Sequence, residues 1–547
     1  MFGFMMDDQL SIIALLRFAA RHHASTEIVS RSVEGPIHRY TYREAYKRTN
    51  QLAHGLAKLG MRHGDRIATL AWNGYRHFEL YYAIPGIGAV CHTINPRLFA
   101  EQIIYIVNHA EDRLLFTDLT FVPLIEKLIG NLPKLEAVII MTDRAHMPAT
   151  TLPNAVCYED LLDGNPDTYE WPSFDERTAS GLCYTSGTTG NPKGVMYTHR
   201  STVLHAISTC QRDSSAPGAG EAILPVVPMF HVNAWGVPFG APIGGFKLVF
   251  PGARYDGEAL HELLYDEKVV VTAGVPTVWM ALLDYLRKSG KTLPDLRILA
   301  VGGSAMSRAL CEAWEKEVGV QTAHGWGMTE TSPAAVNNML APKEASLPYE
   351  ERMTYKLSQG RGRFLVDLKI VDAEGKEMPQ DGVATGELCV RGPWIASSYY
   401  KDESMSKSSW DAQGWFHTGD VASIDPEGYL HIMDRIKDII KSGGEWVSSI
   451  DIENAAMLHP AVAEAAAIAK PDKKWGERPI LAVRLRTGVQ ASGTEIIDSL
   501  RGALAKWAIP DEVIFMDEFP YTATGKVAKR LLREKVLGAA APDKVAS

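Results

Sequence analysis

The densest chemistry in this chain lies in residues 184–195, YTSGTTGNPKGV. Gly187, Gly190 and Gly194 let the backbone turn tightly and bring N–H groups up to anionic oxygens, while Thr185, Ser186, Thr188, Thr189 and Lys193 add side-chain donors. Such a loop suits the phosphates of a nucleotide. It is not the loop of kinases and GTPases, which needs four residues between its glycines and then Lys and Ser or Thr. Here two residues separate Gly187 from Gly190, and Gly194 follows Lys193. A Gly/Thr-rich surface loop is the plain alternative.

Further strings carry side chains able to serve such a site. PMFHVNAWG (228–236) sets His231 four residues before Trp235, with Asn233 between, which puts His231 and Trp235 on one face if the segment is helical. LAVGGSAMS (299–307) ends an apolar strand in Gly302, Gly303 and Ser304. GWGMTE (325–330) repeats the arrangement with Gly325, Trp326, Gly327, Met328, Thr329 and Glu330, and edges of this kind let a flat ring lie against backbone. Glu330 is the hard oxygen ligand that Mg²⁺ takes beside phosphate oxygens. WFHTGD (415–420) ends in Asp420, a carboxylate able to accept from two ribose hydroxyls, and DRIKDIIKSGGEW (434–446) follows it with Arg435 and Lys437. YTATGKVAKR (521–530) presents Lys526 on a glycine-bearing loop before a short basic helix. Taken singly, each has a structural reading: a core His or Trp, a solvated acid, a turn.

Together these strings resemble the signatures of the adenylate-forming superfamily: acyl-CoA synthetases, peptide-synthetase adenylation domains and firefly-type luciferases. The likeness runs from about Tyr40 to Lys526. It is nearest to bacterial medium-chain fatty acyl-CoA ligases and methylmercaptopropionate-CoA ligases, on NGYRHFELYYAIPGIGAVCHTINPRL (73–98) and VPMFHVNAWG. The resemblance implies an acid–thiol ligase that uses ATP, Mg²⁺ and coenzyme A and passes through an acyl-AMP. The alternatives are 3-methylmercaptopropionate as the acid or, more remotely, the loading of a carrier protein.

It also implies residue roles. The 184–195 loop would hold phosphates; Gly302, Gly303, Ser304, Gly325, Trp326, Gly327 and Met328 would wall the adenine, with Trp326 where similar enzymes have Tyr. Thr329 would touch the α-phosphate, Glu330 with Thr185 would hold magnesium, and Asp420 and Arg435 would take the ribose. His231, Asn233, Trp235, Gly302 and Gly327 would line the acyl pocket, Trp235 gating it. Lys437 matches the hinge, and Lys441, Ser442, Gly443, Gly444 and Trp446 match the segment that meets CoA. Lys526 matches the catalytic lysine of P-x-T-x-x-G-K, with Pro520, Thr522 and Gly525 in register. Similar enzymes are often homodimers.

These side chains need a scaffold to converge. Apolar runs at 66–71, 113–117 and 247–250 alternate with helical patterns over the first 340 residues, which predicts parallel sheets covered by helices. Short β-like runs at 366–370, 386–390 and 429–433 predict a small barrel-like unit. A compact α+β pattern follows, with helices over 450–458 and 494–506 and strands over 462–469, 481–485 and 512–516. The expected class is α/β: a large N-terminal domain (1–433) of two α/β subdomains plus a small β-barrel, then a small mobile α+β C-terminal domain (434–547).

Composition agrees with a large globular enzyme. At 547 residues one core does not suffice. A formal charge of −9 leaves no basic footprint for nucleic acid. The six cysteines form no CxxC pair, which argues against disulfides or zinc and for the cytoplasm. The apolar stretch 10–20 follows Asp7 and Asp8 and contains Arg17, the wrong flank for a signal peptide, and no apolar run reaches the roughly 18 residues of a membrane span. The partners expected are therefore small molecules, and the tail after Leu537 is expected to fray.

Overall fold

Buried parallel strands need both faces covered, and two sheets supply most of this molecule. The computed structural model describes residues 3–185, 191–443, 445–522 and 526–538. A seven-stranded sheet is parallel through Ala155–Cys157, Ala137–Ile140, Leu114–Thr117, Arg66–Leu70, Val90–Thr93 and Ala179–Tyr184, then closes with antiparallel Gly194–Thr198. A nine-stranded sheet has a parallel centre that includes Lys247–Phe250, Ala222–Pro225, Val269–Gly274, Ile298–Val301 and Gln321–Gly327, and both its edges are antiparallel. Its central runs KLVF, VVVTAG and ILAV are nearly all apolar, as a sheet covered on both faces requires. Helix Tyr75–Gly86 is buried along its whole length, and its flank ties the sheets together: Asn73 Nδ2 donates to the carbonyls of Pro225 and Val227, both at 2.9 Å.

The short β runs form a four-stranded antiparallel sheet, Asp367–Val371, Gly386–Arg391, Phe416–Ile424 and Leu430–Arg435. The smaller C-terminal domain is built on a largely antiparallel sheet whose long hairpin pairs Val462–Asp472 with Gly476–Leu485. Strand alternation splits its faces: Ala465, Ala467 and Leu481 pack with helices Ser449–Met457 and Gly493–Leu500, while Ala466, Ile468 and Ile480 pack with Leu532 of helix Lys529–Leu537.

Two expectations need correcting. The helix expected over 494–506 ends at Leu500, because Arg501 is extended and Gly502 sits at φ 92°. The hairpin strands outrun 462–469 and 481–485, since their charged tips pair although they lack apolar residues. The stretch 10–20 supplies helix Ile12–His22, which buries Ile12, Ile13, Leu16 and Ala19. Among the described residues no helix is long and apolar enough to cross a membrane. Residues 539–547 lie outside the described residues.

Candidate active site

Parallel strands present their carboxyl ends as a common crevice, where open α/β sheets bind ligands. Here the ends of Ala222–Pro225, Val269–Gly274, Ile298–Val301 and Gln321–Gly327 border one cavity of about 1740 Å³, which the four-stranded sheet and the C-terminal domain also line.

At one end lies the Gly/Thr-rich hairpin of residues 184–195. Strands Ala179–Tyr184 and Gly194–Thr198 lead into and out of it, and its neck is closed by Thr185 N–H donating to the Lys193 carbonyl (2.9 Å) and Lys193 N–H to Thr185 Oγ1 (3.1 Å). Ser186, Gly187, Thr188, Thr189 and Gly190, assigned to phosphate from the sequence, lie outside the described residues. Lys193 Nζ stands 4.8 Å from the centroid of the Tyr399 ring, and the Tyr399 hydroxyl donates to Glu330 Oε1 at 2.6 Å. Burial pushes the Glu330 carboxyl above its ordinary range, while the Tyr399 hydrogen bond and the charges of Arg435 and Lys193 oppose the shift. Thr329 precedes Glu330 on the same turn, its carbonyl accepting from Tyr197 (2.7 Å).

Beside this, behind the cavity wall, sits a fixed carboxylate; Arg435 lines the cavity, and Asp420, assigned to the ribose from the sequence, does not. Asp420 and Arg435 face each other across adjacent strands, Arg435 Nε donating to Asp420 Oδ1 at 2.8 Å, and Trp326 Nε1 donates to Oδ2 at 3.0 Å. The Trp326 indole thus has a task that stacking on a ring did not foresee: it orients Asp420. Gly327 is required sterically, since a Cβ there would stand 1.8 Å from the Pro333 carbonyl oxygen. Gly302, Gly303, Gly325 and Met328 line the cavity; Ser304 does not, and its carbonyl instead faces His324 Nε2 at 3.4 Å.

The other end is apolar, and its entrance departs from the helical reading of 228–236. Val232, Asn233, Ala234 and Trp235 have φ between 43° and 57°, a left-handed turn completed by Gly236. Such residues each cost about 1–2 kcal/mol. The Ala234 N–H bond to the Pro228 carbonyl (3.1 Å) and the burial of Val232 and Ala234 hold the turn. Its effect is to lay Trp235 against Gly302, where a Cβ would come within 2.9 Å of the indole. His231 lines the cavity, its imidazole pulled down to about 4 by burial and by the charges of Lys526 and Arg97, so it is neutral at physiological pH. Asn233 does not line the cavity; the turn directs it to Cys183, whose Sγ donates to Oδ1 at 3.8 Å.

The C-terminal domain reaches in with Lys526, open to the cavity and walled by protein. Burial and the charges of Arg435 and Lys437 lower its ammonium to about 8, against the pull of Asp420. Thr522 N–H donates to the Lys526 carbonyl (2.7 Å), and Lys526 N–H to Thr522 Oγ1 (3.2 Å). Lys437 also lines the cavity, and Arg533 holds its carbonyl (3.2 Å) while pairing with Asp438. Of the segment assigned to CoA, Lys441 reaches the cavity. Ser442 accepts from Arg478 (3.1 Å), Gly443 donates to the Trp475 carbonyl (2.7 Å), Trp446 is exposed, and none of these three lines the cavity. Gly444 lies outside the described residues. Sequence reasoning missed Tyr399 because SSYYKD carries no pattern that marks an anchor.

Comparison with known proteins agrees with this geometry. The model of the AMP-binding enzyme family matches residues 15–400, and that of the AMP-binding enzyme C-terminal domain matches 451–526. A 3-methylmercaptopropionyl-CoA ligase of Ruegeria lacuscaerulensis is 46% identical over 537 residues, covering 98% of this chain and 99% of that protein. A medium-chain-fatty-acid–CoA ligase of Ectopseudomonas oleovorans is 45% identical over 535 residues, covering 98% and 97%. The crystal structure of an anthranilate CoA ligase in complex with anthranoyl-AMP superposes with a TM-score of 0.86 at 26% identity, covering 98% of this chain and 99% of that one. With both family models matched in order and relatives similar from end to end, the chain belongs to the AMP-binding enzyme family.

Proposed function

We infer that this chain is an acyl-CoA synthetase, an ATP-dependent acid–thiol ligase that converts a fatty, medium-chain carboxylic acid and CoA to acyl-CoA, releasing AMP and pyrophosphate. The observation that carries this is convergence: Lys526 from the C-terminal domain stands in the same cavity as Lys193, buried Glu330 and Arg435, which pairs with Asp420 behind the cavity wall, beside an apolar lobe.

In the first half-reaction the carboxylate oxygen attacks the α-phosphorus of ATP, and the bond to the departing pyrophosphate breaks. Lys526 offsets charge on the transferring phosphoryl group and orients both reactants, while Asp420 holds the ribose in place. His231, neutral, borders the reacting acid without adding charge. Glu330 fits Mg²⁺, which takes one or two carboxylates with phosphate oxygens, and Tyr399 fixes one of its oxygens with Thr185 nearby on the cavity wall. Bound there, Mg²⁺ would neutralise phosphate charge.

In the second half-reaction the CoA thiolate attacks the acyl carbonyl carbon and AMP leaves. We place the domain boundary at Asp434 and the hinge at Lys437, so that rotation withdraws Lys526 and brings Lys441, Ser442, Gly443, Gly444 and Trp446 toward the cavity. The present position of Ser442, Gly443 and Trp446 outside it supports two alternating arrangements. A cytoplasmic homodimer is our expectation for the assembly. The thioether acid 3-methylmercaptopropionate is the second reading, supported by the 46% identical relative named for it. CoA-dependent AMP formation from ATP, measured across straight-chain acids of about two to sixteen carbons with the thioether acid included, tests both. An optimum at about six to ten carbons supports the first, preference for the thioether acid supports the second, and inertness on every acid refutes the ligase.

A further inference from the structure

The same cavity contains a buried cation. Ile223, Val227, Val237, Phe246, Val271 and Ala273 line its apolar lobe, yet Arg363 reaches the same cavity although only 8% exposed. Its Nη2 donates to Asn337 Oδ1 at 2.8 Å and its Nη1 to Thr209 Oγ1 at 3.4 Å; Asn337 Nδ2 donates onward to Ser214 Oγ at 2.8 Å. These acceptors are neutral. Among the described residues no carboxylate forms an ion pair with Arg363, and its Nε N–H is buried without a partner. Asp213, whose charge Arg363 feels, sits on an exposed turn. Burial lowers the guanidinium to about 10, with the charge of Asp213 opposing the shift.

The cluster touches the acyl entrance directly. Asn337 pairs with Gly325 across neighbouring strands, and a Cβ on Gly325 would stand 3.8 Å from Asn337 Oδ1. A Cβ on Gly236, at the end of the left-handed turn carrying Trp235, would stand 3.7 Å from Thr209 Oγ1. A guanidinium has five N–H donors; with two spent, three remain, and its planar fork matches a carboxylate.

We propose that Arg363, positioned by Asn337 and Thr209 beside the Trp235 turn, reads a second carboxylate on the acyl substrate and selects acids that carry one. This rests on the ligase reading and narrows its substrate from a fatty acid to the ω-carboxy form. The test compares kcat/KM for straight-chain acids of about four to twelve carbons with their ω-carboxy counterparts, in wild type, R363M and R363K. Wild type prefers the ω-carboxy acid by roughly tenfold at one chain length, R363M swings that ratio by roughly a hundredfold towards the methyl-ended acid, and R363K restores part of it.

Equal loss on both members of each pair, as a purely structural arginine would produce, overturns the proposal. So does a wild-type preference for methyl-ended acids at every length. N337A serves if R363M fails to fold, and must erode the ω-carboxy preference several-fold. Inertness on every acid would break the ligase reading itself. The proposal is then decided by thermal protection: the diacid, not its monoacid twin, raises the Tm of wild type and not of R363M, and equal protection overturns it.

Discussion

The two ends of the cavity are built on opposite principles. At the nucleotide end each buried carboxylate is answered: Asp420 by Arg435 and the Trp326 indole, Glu330 by the Tyr399 hydroxyl. At the acyl end the walls are apolar, the entrance is a left-handed turn, and the one buried guanidinium has only neutral acceptors. Preorganised charge serves a ligand whose shape never changes, because its benefit depends on dipoles being fixed before the reaction. An apolar lobe serves a ligand that varies, since each added methylene contributes the same small increment. The nucleotide end should therefore respond to substitution as a cliff, and the acyl end as a slope.

The steepest fall is expected for K526A, with acyl-AMP formation down about a thousandfold while thioester formation from supplied acyl-AMP stays within a few-fold. Equal loss in both half-reactions would take Lys526 out of the first step. D420N comes next: an amide N–H would face either the Arg435 or the Trp326 donor, and kcat/KM for ATP should drop about a hundredfold. A change of less than twofold would remove Asp420 from ribose binding.

The pH dependence is gentler. Lys526 is cationic below about 8 and loses its proton above it, so kcat/KM for ATP should fall about tenfold per pH unit beyond that point. Bound phosphates favour the ammonium, so kcat should hold to higher pH; a flat kcat/KM profile to pH 10 would contradict this. The slope comes last: each methylene buried at the acyl end is worth about 0.8 kcal/mol, or roughly fourfold in kcat/KM, until the lobe is full. An abrupt hundredfold step between adjacent chain lengths would make the acyl end a cliff as well.

The same contrast explains what the sequence discloses. Residues of the nucleotide end sit on short contiguous strings, because a strand end or a hairpin tip places neighbours in sequence at one spot in space: Gly302 with Gly303, Trp326 through Glu330, Thr185 with Lys193. The parallel sheets were legible for a related reason, their strands being nearly continuous apolar runs. The acyl end is assembled from Thr209, Ser214, Trp235, Asn337 and Arg363, which meet only once two sheets are packed, so no local pattern announces them. The left-handed turn at 232–235 was equally hidden, since tertiary burial of Val232 and Ala234 overrides the backbone preference of each residue. Tyr399 escaped notice because its importance lies in a partner 69 positions away.

That Tyr399–Glu330 contact, together with the backbone bond from Tyr400 to Gly194 (2.8 Å), bears on how such proteins can be reshuffled in evolution. A crossover between two relatives anywhere from 331 to 398 would deliver the buried Glu330 carboxylate from one parent and its anchoring phenol from the other, and would leave the exit strand of the Gly/Thr-rich hairpin bridged by a foreign residue. Viable recombinants should therefore cluster at crossovers after Arg435, where the C-terminal domain can be exchanged with the Glu330–Tyr399 and Trp326–Asp420–Arg435 contacts inherited whole.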